Sequence, residues 1–342
     1  MRVRPPSNGS RRNQHLNRRA LILSAAAAAG SLGTHVRVGL AQAASPSPFG
    51  YPISWSAAVP GDGFLIRHGY VTENTWYLPG FWHTGEDWYA LDGLTAGAEV
   101  LAIGDGDVVF AGSDYPGRVV IVRHAADLFS MYGHLAYELM VEEGMTVRRG
   151  DPLGTVLARG DNVPDHLHFE VRNFLLTAAV NGEAPRYGFA CGSLCPPGPG
   201  YWPIAAPDHP SEQGWRNPTH VINGRAFSDG ETAVGTSTIV AEGAPPLIVL
   251  HASPDGAPIA GRGAELKVAP GMQFPLLAVD HGPEDTGESS ADAYRLWYRI
   301  RLLDGTEPWV RAATASASDT GSDGRPSAVR FSFLISIPSA PA

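Results

Sequence analysis

Three short groups in this chain carry side chains that can hold a metal or move a proton. They are His83-Thr-Gly-Glu-Asp87, Tyr132-Gly-His134-Leu135 and His166-Leu-His168. An imidazole and a carboxylate four residues apart, with Gly85 between them, can turn back on one ion. Imidazoles two residues apart on a strand share a face. Zinc suits such donors. Imidazole nitrogen and carboxylate oxygen bind it at about 2.0–2.2 Å, and a catalytic site uses three protein ligands with an open fourth position. The five candidates His83, Asp87, His134, His166 and His168 leave two groups for acid–base work.

The third group sets the elements that must position the others. In His166-Leu-His-Phe-Glu-Val171 apolar and polar residues alternate, which predicts a β-strand. Leu167, Phe169 and Val171 then face a core, and His166, His168 and Glu170 lie on the opposite, exposed face. Glu170 is placed there to orient one histidine from behind the metal. Further short strands are predicted at 97–103, 107–111, 118–123, 130–135 and 153–158. The first two read as a hairpin over a Gly-Asp-Gly turn. No long helical period is present, so the expected fold is mainly β, an antiparallel sheet with an open groove over the metal.

At these residues the sequence resembles the lysostaphin-type, or LytM-like, zinc metalloendopeptidases. That family carries His-x-x-x-Asp, an aromatic-x-His-Leu and His-x-His in this order, and the chain has all three. Gly144…Val147-x-x-Gly150-x-x-Leu153-Gly154 and the continuation Phe169-Glu-Val-Arg172 match as well. The resemblance covers roughly residues 61–223 and implies zinc held by His83, Asp87 and His168, with His134 and His166 as catalytic histidines. It also implies hydrolysis of peptide bonds in peptidoglycan stems or cross-links. Two features depart from the family pattern. Arg159-Gly-Asp-Asn-Val-Pro-Asp165 replaces a Gly/Ser/Thr-rich run, and the cysteine-bearing segment after Arg172 is long. Family members that have lost ligands act as binding or activating factors, which makes a non-enzymatic cell-wall factor the alternative.

The rest of the chain supplies context. Residues 1–43 hold seven arginines, no lysine and no acid, then an apolar stretch from Ala20 to about Gly33 and a small-x-small site at Ala41-Gln-Ala43. This predicts an export signal, and Asn17-Arg18-Arg19-Ala20-Leu21 resembles a twin-arginine signal. The apolar stretch falls short of the ~20 residues that span a bilayer. Removing those arginines takes the formal charge from −9 to −16. Such an acidic chain is unsuited to nucleic acid or anionic membrane. The expected product is a monomer, outside the cell or on its wall, with peptidoglycan peptides as partners.

Residues 44–60 form a lead-in, 224–235 a small-residue linker and 236–342 a second β region. The predicted hairpin from Tyr298 to Val310 over Asp304-Gly305 resembles bacterial SH3-like domains. That resemblance implies a wall-binding tether dispensable for chemistry, with a mobile stretch near 312–327. Cys191 and Cys195 in an exported chain are most simply a disulfide, with a second metal site as the alternative. Local roles are expected for Glu86 and for His68, His124, His209, His220, His251 and His281. Core roles are expected for most of Trp76, Tyr77, Phe81, Trp82, Trp88 and Tyr89.

Overall fold

The strand that carries His168 lies in the middle of the largest sheet, and the other site residues follow from its neighbours. The computed structural model describes residues 49–336 except 57, 76–77, 115, 185, 189–196, 226, 228–229, 237–246, 260–265, 268–270, 283–293 and 316–327. The expected export signal, both cysteines, Trp76, Tyr77 and most of the stretch expected to be mobile lie outside the described residues. Among those residues no helix is long and apolar enough to cross a membrane.

The main strands are β1 (Phe64–His68), β2 (Leu78–His83), β3 (Glu86–Ala90), β4 (Gly106–Gly112), β5 (Arg118–Ala125), β6 (Leu128–Leu135), β7 (Leu167–Arg172) and β8 (Tyr201–Pro203). They continue as β9 (Thr232–Gly235), β10 (Gln273–His281), β11 (Leu296–Ile300), β12 (Trp309–Ala315), β13 (Val329–Phe331) and β14 (Phe333–Ser336). One helix bears on the site, α1 (Pro218–Asn223). The Asn217 side chain caps it by accepting from the His220 N–H, with proline in the first turn.

The fold is mainly β, as expected. A sheet of 14 strands runs in the order Thr146–Val147, β4, β5, β6, β7, β3, β1, β13, β12, β11, β10, β9, β14, with Trp215–Arg216 also paired to β7. Its pairings are antiparallel, and β7 is held on both edges, His168 lying opposite Gly133 of β6 and Asp87 of β3. Leu167, Phe169 and Val171 are fully buried in the core. The histidine face, expected to be open, is covered: every residue of β7 is buried.

The hairpin expected from 97–103 and 107–111 does not form. Glu99–Leu101 pairs with Ile53–Ser54 and Pro152–Thr155 in a separate small sheet. Beyond it, the Ala102 N–H donates to the Asp151 carbonyl. β4 pairs instead with β5 and Thr146–Val147. The Gly-Asp-Gly turn therefore carries the chain from one sheet to the other.

The linker placed at 224–235 does not interrupt the sheet. β13 pairs with β1, Leu65 opposite Arg330 and Ile66 opposite Val329. Trp88 of β3 stacks on Phe331 of β13 at 5.5 Å between ring centroids. Residues Ser45–Ala342 cluster as one compact unit. The hairpin expected over Asp304-Gly305 is present as β11 and β12. Gly305 has φ +80°, the left-handed conformation such a turn requires. β13 and β14 are separated only by Ser332 yet lie at opposite ends of the run β13 to β14, so that run curls back on itself.

Candidate metal centre

His83 ends β2, Asp87 is the second residue of β3, and the tight connection through Thr84 and Gly85 brings them together. Gly85 is required by space: a Cβ there would stand 2.3 Å from the Phe169 carbonyl oxygen of β7. Register then sets Asp87 directly across from His168. The result is a small triangle. His83 Nε2 lies 3.0 Å from His168 Nδ1 and 3.2 Å from Asp87 Oδ1, and His168 Nδ1 lies 3.0 Å from Asp87 Oδ1. All three residues are buried.

The outer hydrogen bonds fix what these atoms present to one another. His83 Nδ1 donates to the Gly69 carbonyl at 3.2 Å, leaving Nε2 with its lone pair inward. His168 Nε2 donates to Glu170 Oε1 at 3.1 Å, leaving Nδ1 with its lone pair inward. Two imidazole lone pairs and a carboxylate oxygen thus converge at about 3 Å, an arrangement that repels itself unless a cation sits among them. Donors 2.0–2.2 Å from a tetrahedral zinc lie roughly 3.3–3.6 Å apart, a few tenths wider than found here. The donor set therefore fits zinc.

The electrostatics agree. Burial raises the Asp87 carboxyl, but His83, His166 and His168 outweigh it and hold the group well below its ordinary value. Burial opposes charge on His168, yet hydrogen bonds to Asp87 and Glu170 lift it to about 9. A pocket that holds a proton so firmly also favours a metal cation, which must displace it.

Glu170 takes the supporting place expected of it. Burial works against its ionised form, but Arg172 and His168 bring its carboxyl down to about 2. It accepts from Thr84 Oγ1, His168 Nε2, Arg172 Nη1 and Trp215 Nε1. Arg172, fully buried, also donates to the Pro197 and Leu175 carbonyls, clipping both ends of the long segment after β7. That segment returns over the site. The Thr84 N–H donates to the Gly200 carbonyl, and a Cβ on Gly200 would stand 2.8 Å from the His168 ring. Tyr201 pairs with His83 across β8 and β2.

His134 and His166 stand beside the triangle rather than in it. Their rings meet edge to face at 4.6 Å, and His166 Nε2 is 3.6 Å from Asp87 Oδ1. Each has Nδ1 on a backbone carbonyl, that of Pro116 just before β5 for His134 at 3.1 Å and that of Pro164 just before β7 for His166 at 2.8 Å. Both Nε2 atoms are therefore the bare, basic nitrogens. Burial is the main cause that lowers both residues' pKa values, most strongly for His134. Both are neutral near pH 7. His134 sits at φ +62°, a strained conformation for a non-glycine residue. Tyr89 stacks on His166 at 5.0 Å. Gly198, Pro199 and Tyr201 form one wall of the groove over these groups, and Pro116, Val119 and Met131 lie among its other lining residues.

Of the residues expected to act locally, Glu86 is buried on the face of β3 opposite Asp87. Burial pushes its carboxyl up to about 7, and it accepts from Thr219 N–H and Oγ1 at the start of α1. His124 is engaged with Ser130 and the Asp105 carbonyl, His209 caps the Pro210–Gln213 helix, and His251 bonds the Gly256 carbonyl. The carbonyls of Gly69, Pro116 and Pro164 were not singled out from the sequence, since any residue type supplies one.

The segment that bears these residues is similar to known proteins. Residues 82–184 match the model of Peptidase family M23. The DD-carboxypeptidase/endopeptidase Mpg of Neisseria meningitidis is 36% identical over 112 residues, 32% of this chain and 22% of that protein. The murein hydrolase activator EnvC of Escherichia coli is 38% identical over 82 residues, 23% of this chain and 19% of that protein. The chain thus matches about a fifth of the length of each. Among solved structures, the catalytic domain of a mutant of the prophage-encoded M23 protein EnpA from Enterococcus faecalis aligns at 26% identity and a TM-score of 0.29, over 36% of this chain and 86% of that one. Residues 82–184 thus match peptidase family M23, in agreement with the LytM-like resemblance of the three motifs.

Proposed function

We propose that the protein is an exported zinc-dependent endopeptidase that cleaves peptide bonds in peptidoglycan. The observation that carries this is the triangle of His83, Asp87 and His168, its lone pairs turned inward, beside two neutral imidazoles that stand outside it. Zinc bound there supplies Lewis acidity, lowering the pKa of water towards ~7 and polarising a substrate carbonyl. The bare Nε2 of His134 or His166 accepts the proton of the attacking water, and the other imidazole hydrogen-bonds the developing oxyanion and protonates the leaving amine. The Pro116 and Pro164 carbonyls keep both rings in the tautomer this requires. Asp87 stabilises positive charge on His166 as it forms. The walls at Pro199 and Tyr201 make a groove over the pair.

The substrate class rests on the family match and on Mpg, which is named as an endopeptidase. Similarity to EnvC, named as a hydrolase activator, favours a second reading as a non-enzymatic cell-wall factor. Retention of all five site residues speaks for the enzyme. The decisive experiment measures zinc in protein purified without added metal, then treats purified peptidoglycan of different cross-link types and identifies released ends by mass spectrometry. One zinc per chain with new peptide termini is the expected result. Zinc-loaded protein that releases no termini from any wall type supports the activator instead.

A further inference from the structure

The Gly69 carbonyl that holds the back of His83 is itself held in place by a residue from far along the chain. His83 donates from Nδ1 to the Gly69 carbonyl, which sits just after β1. Gly69 packs closely against Tyr294: a Cβ at Gly69 would be 2.8 Å from Tyr294 Cε2 and 3.1 Å from its hydroxyl. That hydroxyl accepts from the Tyr70 N–H at 2.7 Å and donates to Glu86 Oε1 at 3.1 Å. Tyr294 is 5% exposed and leads directly into β11. Its single side chain therefore touches the backbone behind His83 and the residue preceding Asp87.

We propose that the region beyond residue 235 is a working part of the metal centre, with Tyr294 as the positioning residue that fixes His83 through the Gly69–Tyr70 backbone. The inference rests on the reading that His83 holds zinc. Its logic is geometric. The direction of the His83 lone pair is set by the hydrogen bond at the other ring nitrogen, and that bond is only as fixed as the carbonyl that accepts it. The ring of Tyr294 blocks the Gly69 peptide from one side, and its hydroxyl bonds the next N–H. β13 adds support by pairing with β1 just upstream, Ile66 opposite Val329. A module joined only by a flexible linker would make none of these contacts.

The test compares three full-length variants by zinc affinity, measured in competition with a chromophoric chelator, and by the visible spectrum of the cobalt-substituted protein. Tyr294→Phe keeps the ring and removes both hydroxyl bonds. Gly69→Ala pushes the same contact apart from the other side. Tyr298→Phe is the control. Its hydroxyl donates to Asn223 Oδ1 at 2.8 Å in the same region but touches neither Gly69, Tyr70 nor Glu86. Outer partners of metal ligands typically contribute 10–100-fold to affinity. Acting through one peptide link, Tyr294→Phe should weaken zinc binding about tenfold and shift the cobalt absorption bands. Gly69→Ala should do the same, and Tyr298→Phe should melt earlier while keeping wild-type affinity and spectrum. Wild-type affinity in Tyr294→Phe overturns the inference, as does an equal loss in Tyr298→Phe. Should Tyr294→Phe fail to fold, Gly69→Ala decides: unchanged affinity there rejects the contact. Absence of zinc binding in the wild-type protein would instead reject the underlying reading of His83.

Discussion

Gly85 offers the sharpest single-residue perturbation of the metal centre, because the space against it is known from the structure. A Cβ added there would stand 2.3 Å from the Phe169 carbonyl oxygen and 2.9 Å from Glu170 Cγ. A comfortable carbon–oxygen contact is about 3.3 Å, so the Thr84–Glu86 backbone must retreat from β7 by about 1 Å. The obstacle is the backbone of a central strand held on both edges, which cannot yield as a flexible side chain would. The same retreat carries His83 and Asp87 away from His168. Triangle edges of 3.0–3.2 Å would open towards ~4 Å, beyond the roughly 3.6 Å that one tetrahedral zinc spans. Overpacking of this kind costs about 1–3 kcal/mol of stability. A misplacement of ~1 Å costs on the order of 10²-fold in rate. Gly85→Ala should therefore stay folded by circular dichroism, melt earlier, lose zinc on dialysis against a weak chelator, and turn over peptide about 10²-fold more slowly. Gly188→Ala, with nothing within 4 Å of the new Cβ, is the matched control. A Gly85→Ala protein that retained zinc and worked within threefold of wild type would refute the reasoning.

Four further outcomes follow from contacts already described. Glu170→Gln leaves Arg172 fully buried without its counter-charge and should cost about 3–5 kcal/mol in urea unfolding; a change below about 1 kcal/mol contradicts that role. His134→Ala and His166→Ala should each keep zinc and lose about 10²–10⁴-fold in turnover, and near wild-type rates would remove the residue from the mechanism. Burial holds His124 below its ordinary 6.5, so the unfolded chain takes up that proton first as pH falls. The stability His124 contributes is full above pH 6.5 and declines below it. His124→Gln should flatten the loss of melting temperature on acidification from pH 6.5, and identical slopes in both proteins would disprove it. Truncation after Gly235 removes β13 from β1 and Phe331 from Trp88. It should abolish cooperative melting together with soluble-peptide cleavage, whereas full activity in the shortened protein would restore the tether.

The half that holds the candidate metal centre was legible where chemistry and alternation coincide. The alternation around His168 predicted a strand with Leu167, Phe169 and Val171 inward, and the structure has them in the core. The spacing of His83 and Asp87 announced a turn onto one ion, and their ligand atoms lie in one cluster with His168. What alternation cannot show is which strand pairs with which. The residues at 97–103 and 107–111 look like a hairpin locally, but their backbone donors find distant partners. The sharing of one sheet across 224–235 was hidden for the same reason, since Ile66 and Val329 carry no mark of being opposite each other. Backbone carbonyls at Gly69, Pro116 and Pro164 orient three of the four histidines, and side-chain identity says nothing about them.

The pairing of β1 with β13 also has a consequence for the order in which the protein matures. Leu65 and Arg330 are about 265 residues apart, so joining them closes a very long loop, an entropic cost that nearby contacts must offset first. Contacts between such distant parts of a chain slow folding. A ribosome delivers the residues of β1 well before those of β13. Until then the strand beside Asp87 has one bare edge, and Trp88 lacks the ring that stacks on it. The sheet that carries Asp87 is thus completed only after the residues of β13 have been made, so the candidate metal centre gains its full framework late in folding.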